Sequence, residues 1–298
     1  MYNDVQPTYF PIVPRIVVIG DVHGDISRLM NILYKLNIIS TSMKWIAEPA
    51  NTIVIQLGDQ VDSLNRGSTV EWEVLPDIEV VLEMDKLDKI ARNGGGRILS
   101  LIGNHEIMNF LGEYTYVSEK SKEIYDIEKR KKIFAPGSKI SSILAKRNII
   151  IKIGDYLFCH GGLLPHHLDL VNNNIHVYNE NIRKILMMPN PTVEDKQLFI
   201  QSSLEPNSIL WTRQYFELAL TNEDLLNHII DEVLARTNSK VIFVGHNTVP
   251  KITPVANTRV FLTDAALSRS YGNEQYQVLE ILTDLATNEP TYNVFCIS

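Results

Sequence analysis

The sequence predicts an α/β fold of two packed mixed sheets flanked by helices, and three observations carry that reading. Short apolar runs recur along the 298 residues, and several stop at a glycine followed by Asp, Asn or His. In the first half these runs alternate with helical periodicity, which implies right-handed crossovers and a largely parallel sheet. Towards the end they follow one another over short connections, which implies an antiparallel portion.

The elements then read in order. Residues 1–14, with Pro7, Pro11 and Pro14, form an extended leader. Ile16-Val17-Val18-Ile19 is the first strand, and Ile26, Leu29, Met30, Leu33 and Leu36 recur at helical spacing behind Asp25 or Ser27 as a cap. A strand over 52–57 leads to a helix near 73–92, carried by Leu75, Ile78, Val81, Leu82, Met84, Leu87 and Ile90. Gly94-Gly95-Gly96 stops that helix before a strand over 97–102. Residues 112–147 read as an insertion of solvated helix, and the run Glu128-Lys129-Arg130-Lys131-Lys132 within it reads as a solvated face, with a phosphate or partner contact as the alternative. Gly154-Asp155 is a hairpin turn before a strand over 156–160. Helices near 176–187, 194–204 and 223–236 follow, and His166-His167 reads as a helix start with exposed imidazoles. Strands at 240–244, 251–255, 259–263, 275–282 and 291–296 complete the chain. No repeat or linker divides it, so residues 1–298 are expected to form a single domain.

Composition narrows the function class. With 45% hydrophobic and 21% charged residues the chain is ordinary globular protein. A net charge of −7 argues against nucleic acid as a partner. Cys159 and Cys296 are too few for a disulfide framework. No run reaches the ~20 apolar residues of a membrane span, and no secretory signal pattern opens the chain. The expectation is a cytoplasmic protein with no membrane partner and an open oligomeric state.

Five polar clusters follow the apolar runs: Gly20-Asp21-Val22-His23-Gly24-Asp25, Gly58-Asp59-Gln60-Val61-Asp62, Gly103-Asn104-His105-Glu106, Cys159-His160-Gly161-Gly162 and Gly245-His246-Asn247. In α/β sheets ligands collect beyond the carboxyl ends of strands, so the clusters converge if their strands are neighbours. Asp, His and Asn together suit manganese, iron or zinc. Asp21 and His23 are close enough to bind one ion, Asp59 is able to bridge two, and Asn104, His160 and His246 complete the second.

In this order the clusters resemble the calcineurin-like metallophosphoesterases, on their phosphoprotein phosphatase branch and closest to the Shewanella-like phosphatases. The narrower likeness also rests on Gly94-Gly95-Gly96-Arg97, Gly112-Glu113-Tyr114-Thr115-Tyr116-Val117, Ile209-Leu210-Trp211-Thr212-Arg213 and Thr263-Asp264-Ala265-Ala266-Leu267-Ser268-Arg269. The resemblance implies an α/β/β/α sandwich and a phosphomonoesterase acting on phosphoserine, phosphothreonine or phosphotyrosine proteins or peptides. It implies two metal ions, manganese or iron with zinc as a further choice, on Asp21, His23, Asp59, Asn104, His160 and His246. By the same resemblance a hydroxide shared by the ions would attack phosphorus, His105 would protonate the leaving oxygen, and Asp62 would orient His105. Arg213 grips the phosphate. The family usually places Asp-Arg-Gly after the second cluster, whereas here Arg66-Gly67 is displaced by three residues. Arg66 either folds back over the site as a second phosphate ligand or leaves that contact missing. Asn247 stands where broader relatives carry a further metal-binding histidine. Asp264, Arg269 and Tyr271 are candidates to line the pocket, and Trp211 packs beside Arg213.

Other chemistries fit less well. A cysteine phosphatase needs an arginine about six residues after its thiolate, and counting from Cys159 reaches Pro165. No phosphate-binding loop of the Gly-x-x-x-x-Gly-Lys type occurs. The alternatives are a dinucleoside polyphosphate hydrolase and an inactive phosphoprotein-binding scaffold.

Overall fold

The computed structural model describes residues 4–64, 66, 72–73 and 75–298. Along the chain the elements are β1 (Tyr9–Phe10), β2 (Arg15–Ile19), α1 (Ile26–Lys35), β3 (Ile53–Gln56), α2 (Ile78–Asn93), β4 (Arg97–Ser100) and α3 (Asn104–Leu111). Then come α4 (Glu119–Ile124), α5 (Ile127–Phe134), α6 (Lys139–Leu144), β5 (Ile150–Ile153), β6 (Tyr156–Cys159), α7 (Pro165–Leu170), α8 (His176–Met187), α9 (Val193–Ser203), α10 (Gln214–Thr221) and α11 (Glu223–Thr237). The last elements are β7 (Val241–Val244), β8 (Thr253–Val255), β9 (Val260–Leu262), β10 (Tyr276–Asp284) and β11 (Glu289–Ile297).

Strand alternation builds the layers. In β2, Ile16 and Val18 point into the core between the sheets, while Val17 and Ile19 point outward against Leu29, Ile32 and Leu33 of α1. One sheet has the order β11-β10-β2-β3-β4 and the other β1-β5-β6-β7-β9-β8. Both are mixed: β2, β3 and β4 are parallel, as are β6, β7 and β9, while β10–β11, β5–β6 and β8–β9 are antiparallel. Stacked Phe158, Phe243 and Phe261 fill the space between the sheets. Helices α8 and α11 cover the far face of the six-stranded sheet through Tyr178, Ile182, Ile230 and Val233. The expected sandwich of two sheets with helices outside is what forms.

Four expectations are corrected. The extended leader holds a strand of its own ahead of the expected first one, because Tyr9 and Phe10 pair in parallel with Lys152 and Ile153 of β5. Helix α2 starts at Ile78, where the Asp77 carboxylate takes the backbone N–H. The 112–147 insertion is no solvated helix: it breaks into α4, α5 and α6, and Arg130, Phe134, Ile140 and Leu144 are buried. His167 is buried too, bonded through Nδ1 to Leu164 N and through Nε2 to Asn207 O, whereas His166 is exposed. The triple glycine ends α2 as expected, with Trp45 packed so tightly there that a Cβ at Gly94 or Gly96 would collide with its ring. Among the described residues no helix is long and apolar enough to cross a membrane.

Candidate metal and catalytic site

The parallel strands β2, β3 and β4 and the pair β6–β7 end on the same side, so all five clusters meet there. The approach is close. A Cβ at Gly103 would fall on the Asp59 carboxylate and one at Gly245 on the Asp21 carboxylate, so only glycine admits these side chains. Val22 N and His23 N donate to the Asp59 carbonyl at 3.0 and 2.9 Å, tying the first two clusters together. His23, Asp59, Asp62 and His246 all have positive φ, a conformation that non-glycine residues hold only when their surroundings enforce it.

Each histidine has one ring nitrogen committed to a backbone carbonyl. His160 Nδ1 meets Leu57 O at 2.8 Å, His23 Nδ1 meets Val61 O at 3.2 Å, and His246 Nε2 meets Trp211 O at 3.2 Å. That fixes the tautomer and leaves the other nitrogen facing the cleft as a lone pair. His160 Nε2 then lies 2.8 Å from Asn104 Oδ1 and 3.3 Å from Asp59 Oδ2. Asp59, His160 and His246 offer ligand atoms close enough to share one ion. Asp21 Oδ2 stands 3.9 Å from His23 Nε2, and Asp21 also accepts from His246 N. So many acceptors facing one another is a donor set for cations, and the residues fit a metal pair.

Electrostatics agree. Burial pushes the Asp21 carboxyl well up, and Asp264 and Asp59 push it further. Burial would raise Asp59 too, but His160, His105 and His23 hold it well below the carboxylate range. Burial lowers His160, yet Asp59 and Asp21 outweigh it and hold it up to about 10. Of the three imidazoles only His160 is drawn up: burial and the neighbouring Arg66 and His105 hold His23 well below its ordinary value, and burial and His160 hold His246 down to about 3.

His105 also stands near Asp59 and His23, but its nitrogens are engaged elsewhere. Nδ1 is 2.7 Å from Asp62 Oδ2, and Nε2 is 2.9 Å from Arg66 Nη2. A cation at Nε2 would face the Arg66 guanidinium, which sets His105 apart from the other ligand atoms. Arg66 does fold back over the cleft, its N–H bonded to Ser270 O and its guanidinium between the rings of Tyr116 and Tyr271. Ser63 turns away towards Glu73 and Ser118. Arg213, exposed at the mouth, donates to Asn247 Oδ1 at 3.0 Å. Asp21, His23, Asp59, Arg66, Asn104, His105, Arg213 and His246 line one cleft with Tyr116, Trp211 and Tyr271. His160 lies beneath it, fully buried. Arg269 does not line the cleft and instead grips Asp25, the cap of α1, through Nε and Nη2. Cys159 is a buried core residue.

Sequence reasoning gave Glu106 no role. Its carboxylate accepts from the backbone N–H groups of Asp59, Gln60, Val61 and Gly103, and so pins the loop that presents Asp59. A glutamate at the third position of a helix is a capping signal that could have marked it.

The fold and this site define the class: the chain belongs to the calcineurin-like phosphoesterase family, whose model matches residues 14–250. Within it the chain is homologous to Shewanella-like protein phosphatases. It is 25% identical to Shewanella-like protein phosphatase 2 of Arabidopsis thaliana, over 97% of this chain and 82% of that one. It is 26% identical to Shewanella-like protein phosphatase 1 of Plasmodium berghei, over 90% and 71%. In structure it is similar to the cold-active protein tyrosine phosphatase of a psychrophilic Shewanella, with a TM-score of 0.76 at 24% identity, over 98% of this chain and 83% of that one.

Proposed function

We propose that the chain is a binuclear-metal-dependent phosphomonoesterase acting on phosphoproteins. The observation that carries the reading is the ring of acceptors around Asp59, next to a histidine–carboxylate pair and two arginines. Asp21, His23 and Asp59 would hold one ion, and Asp59, Asn104, His160 and His246 the other. Manganese or iron suits these nitrogen and oxygen donors, with zinc a further choice. Two such ions supply Lewis acidity to a phosphoryl oxygen and acidify a water. Arg213 and Arg66 grip the remaining phosphate oxygens with their planar forks. The incoming anion draws Arg66 off His105 Nε2, which frees that nitrogen's lone pair to take up a proton from water in the cleft and pass it to the leaving oxygen. Asp62 holds the Nδ1 proton and so stabilises the imidazolium.

The aromatic lining of Tyr116, Tyr271 and Trp211 supports an aryl leaving group, phosphotyrosine, beside phosphoserine and phosphothreonine. The test is metal-dependent hydrolysis of phenyl phosphate, whose leaving oxygen needs a proton, by the wild type, Asp59→Asn and His105→Asn. Activity in the wild type alone is expected. Equal, metal-independent rates in all three would end the enzyme reading and leave a binding scaffold. Phosphotyrosine and phosphoserine peptides, set against diadenosine tetraphosphate, decide the substrate. Hydrolysis of the dinucleotide alone would overturn the phosphoprotein assignment.

A further inference from the structure

The basic run of the insertion hides one side chain that the mechanism above does not use. Arg130, on α5, is 1% exposed, and its guanidinium packs over the Phe134 ring. Its Nη1 and Nη2 donate to the two oxygens of Asp77 at 2.8 and 2.7 Å, and its Nε donates to Asn109 Oδ1. Asn109, on α3, passes the contact on: its Nδ2 donates to Asp62 Oδ1 at 2.8 Å and to His105 O at 2.9 Å. Arg130 Nη2 itself lies 3.5 Å from Asp62 Oδ1. Asp77 closes the ring by accepting from Asp62 N at 2.7 Å.

The Asp62 carboxylate is thus held at both ends. One oxygen faces His105 Nδ1, and the other faces Asn109 and Arg130. Its left-handed backbone, at φ 67°, is fixed by Asp77, which Arg130 in turn clamps. Nothing in this ring opens into the cleft.

We infer that Arg130 is a positioning residue, which acts through Asn109 and Asp77 to aim the Asp62–His105 pair at the leaving oxygen. The inference rests on the metallophosphatase reading. A planar fork makes all three contacts at once, and a lysine point charge does not.

The test exploits the leaving group. p-Nitrophenolate departs without a proton, whereas phenolate from phenyl phosphate benefits from one. In Arg130→Lys and Asn109→Ala, kcat on phenyl phosphate should fall about tenfold or more, part of the 10²–10⁴ that a positioned acid contributes. On p-nitrophenyl phosphate it should change little, with KM and bound metal as in the wild type. Equal losses on both substrates would make Arg130 merely structural, and unchanged rates on both would also overturn the inference. Should Arg130→Lys not fold, Asn109→Ala decides alone. A wild type with no metal-dependent hydrolysis of either ester would instead sink the reading on which the inference rests.

Discussion

Two buried groups of charged residues meet at Asp62 and His105, and they are built on opposite plans. On the Arg130 side, Asp77 and Asp62 face a guanidinium and an amide, and the bonding of both carboxylates closes within the protein. On the Asp59 side, Asp21, Asp59, Asn104 and the free nitrogens of His23, His160 and His246 face one another with no fixed cation among them. Buried charge is tolerated only when paired or coordinated. The first group is complete in the polypeptide and serves to hold geometry. The second gathers carboxylate, amide and imidazole donors of the kind that fit metal ions.

The largest effect that could break this contrast is at Asp21. Asp21→Asn should cut metal-dependent turnover by more than about a thousandfold, beyond the 10²–10³ of losing a single oxyanion donor. Because burial, Asp264 and Asp59 all disfavour the Asp21 carboxylate, the metal-free variant should melt no lower than the wild type. A clear drop in its melting temperature would show that the two groups are alike. The counterpart is Asp77→Ala, which strands the Arg130 charge. It should cost about 3–5 kcal/mol in denaturant unfolding, without metal being needed to see the loss.

Metal itself should separate the groups next. At a hundredfold excess over its dissociation constant, an ion that binds only the folded state adds ~2.7 kcal/mol. Calorimetry with and without chelator should show that gain in the wild type and lose it in Asp59→Asn. A smaller effect is on acid stability. Burial would raise the Asp77 pKa, but Arg130 and the hydrogen bonds from Asp62 N and Ser121 outweigh it and hold it below its ordinary 3.8. A carboxylate lowered in this way contributes in full above its unfolded pKa and loses its contribution as the pH falls through the folded one. The stability that Asp77 supplies should therefore persist down to about pH 4 and vanish only below it, as acid unfolding of wild type against Asp77→Asn would measure. Smallest of all, Lys131→Ala and Lys132→Ala, exposed beside Arg130, should shift stability by no more than about 0.5 kcal/mol.

The two regions also differ in how far they could be read in advance. The six candidate metal ligands sit at the ends of five strands, Asp21 and His23 sharing one, within a few residues of the glycine that turns the chain. The signal is local, and five local signals in order were enough to anticipate the cleft. Arg66 was legible only as an alternative, since its place is set by contacts with Ser270, Tyr116 and Tyr271, two of them more than 200 positions away. Arg130 was misread. It lies among charges that pattern as a solvated face, and its partners stand 21 and 53 positions away in sequence.

The amino-acid sequence alone determined the layered α/β plan, the strand ends and the residue types gathered there, because alternation, glycine turns and ligand chemistry are short-range properties. Tertiary structure decided which nitrogen of each histidine faces the cleft, where Arg66 lands, and which charged residue of the insertion turns inward. Those outcomes depend on backbone carbonyls and buried partners that only packing brings together.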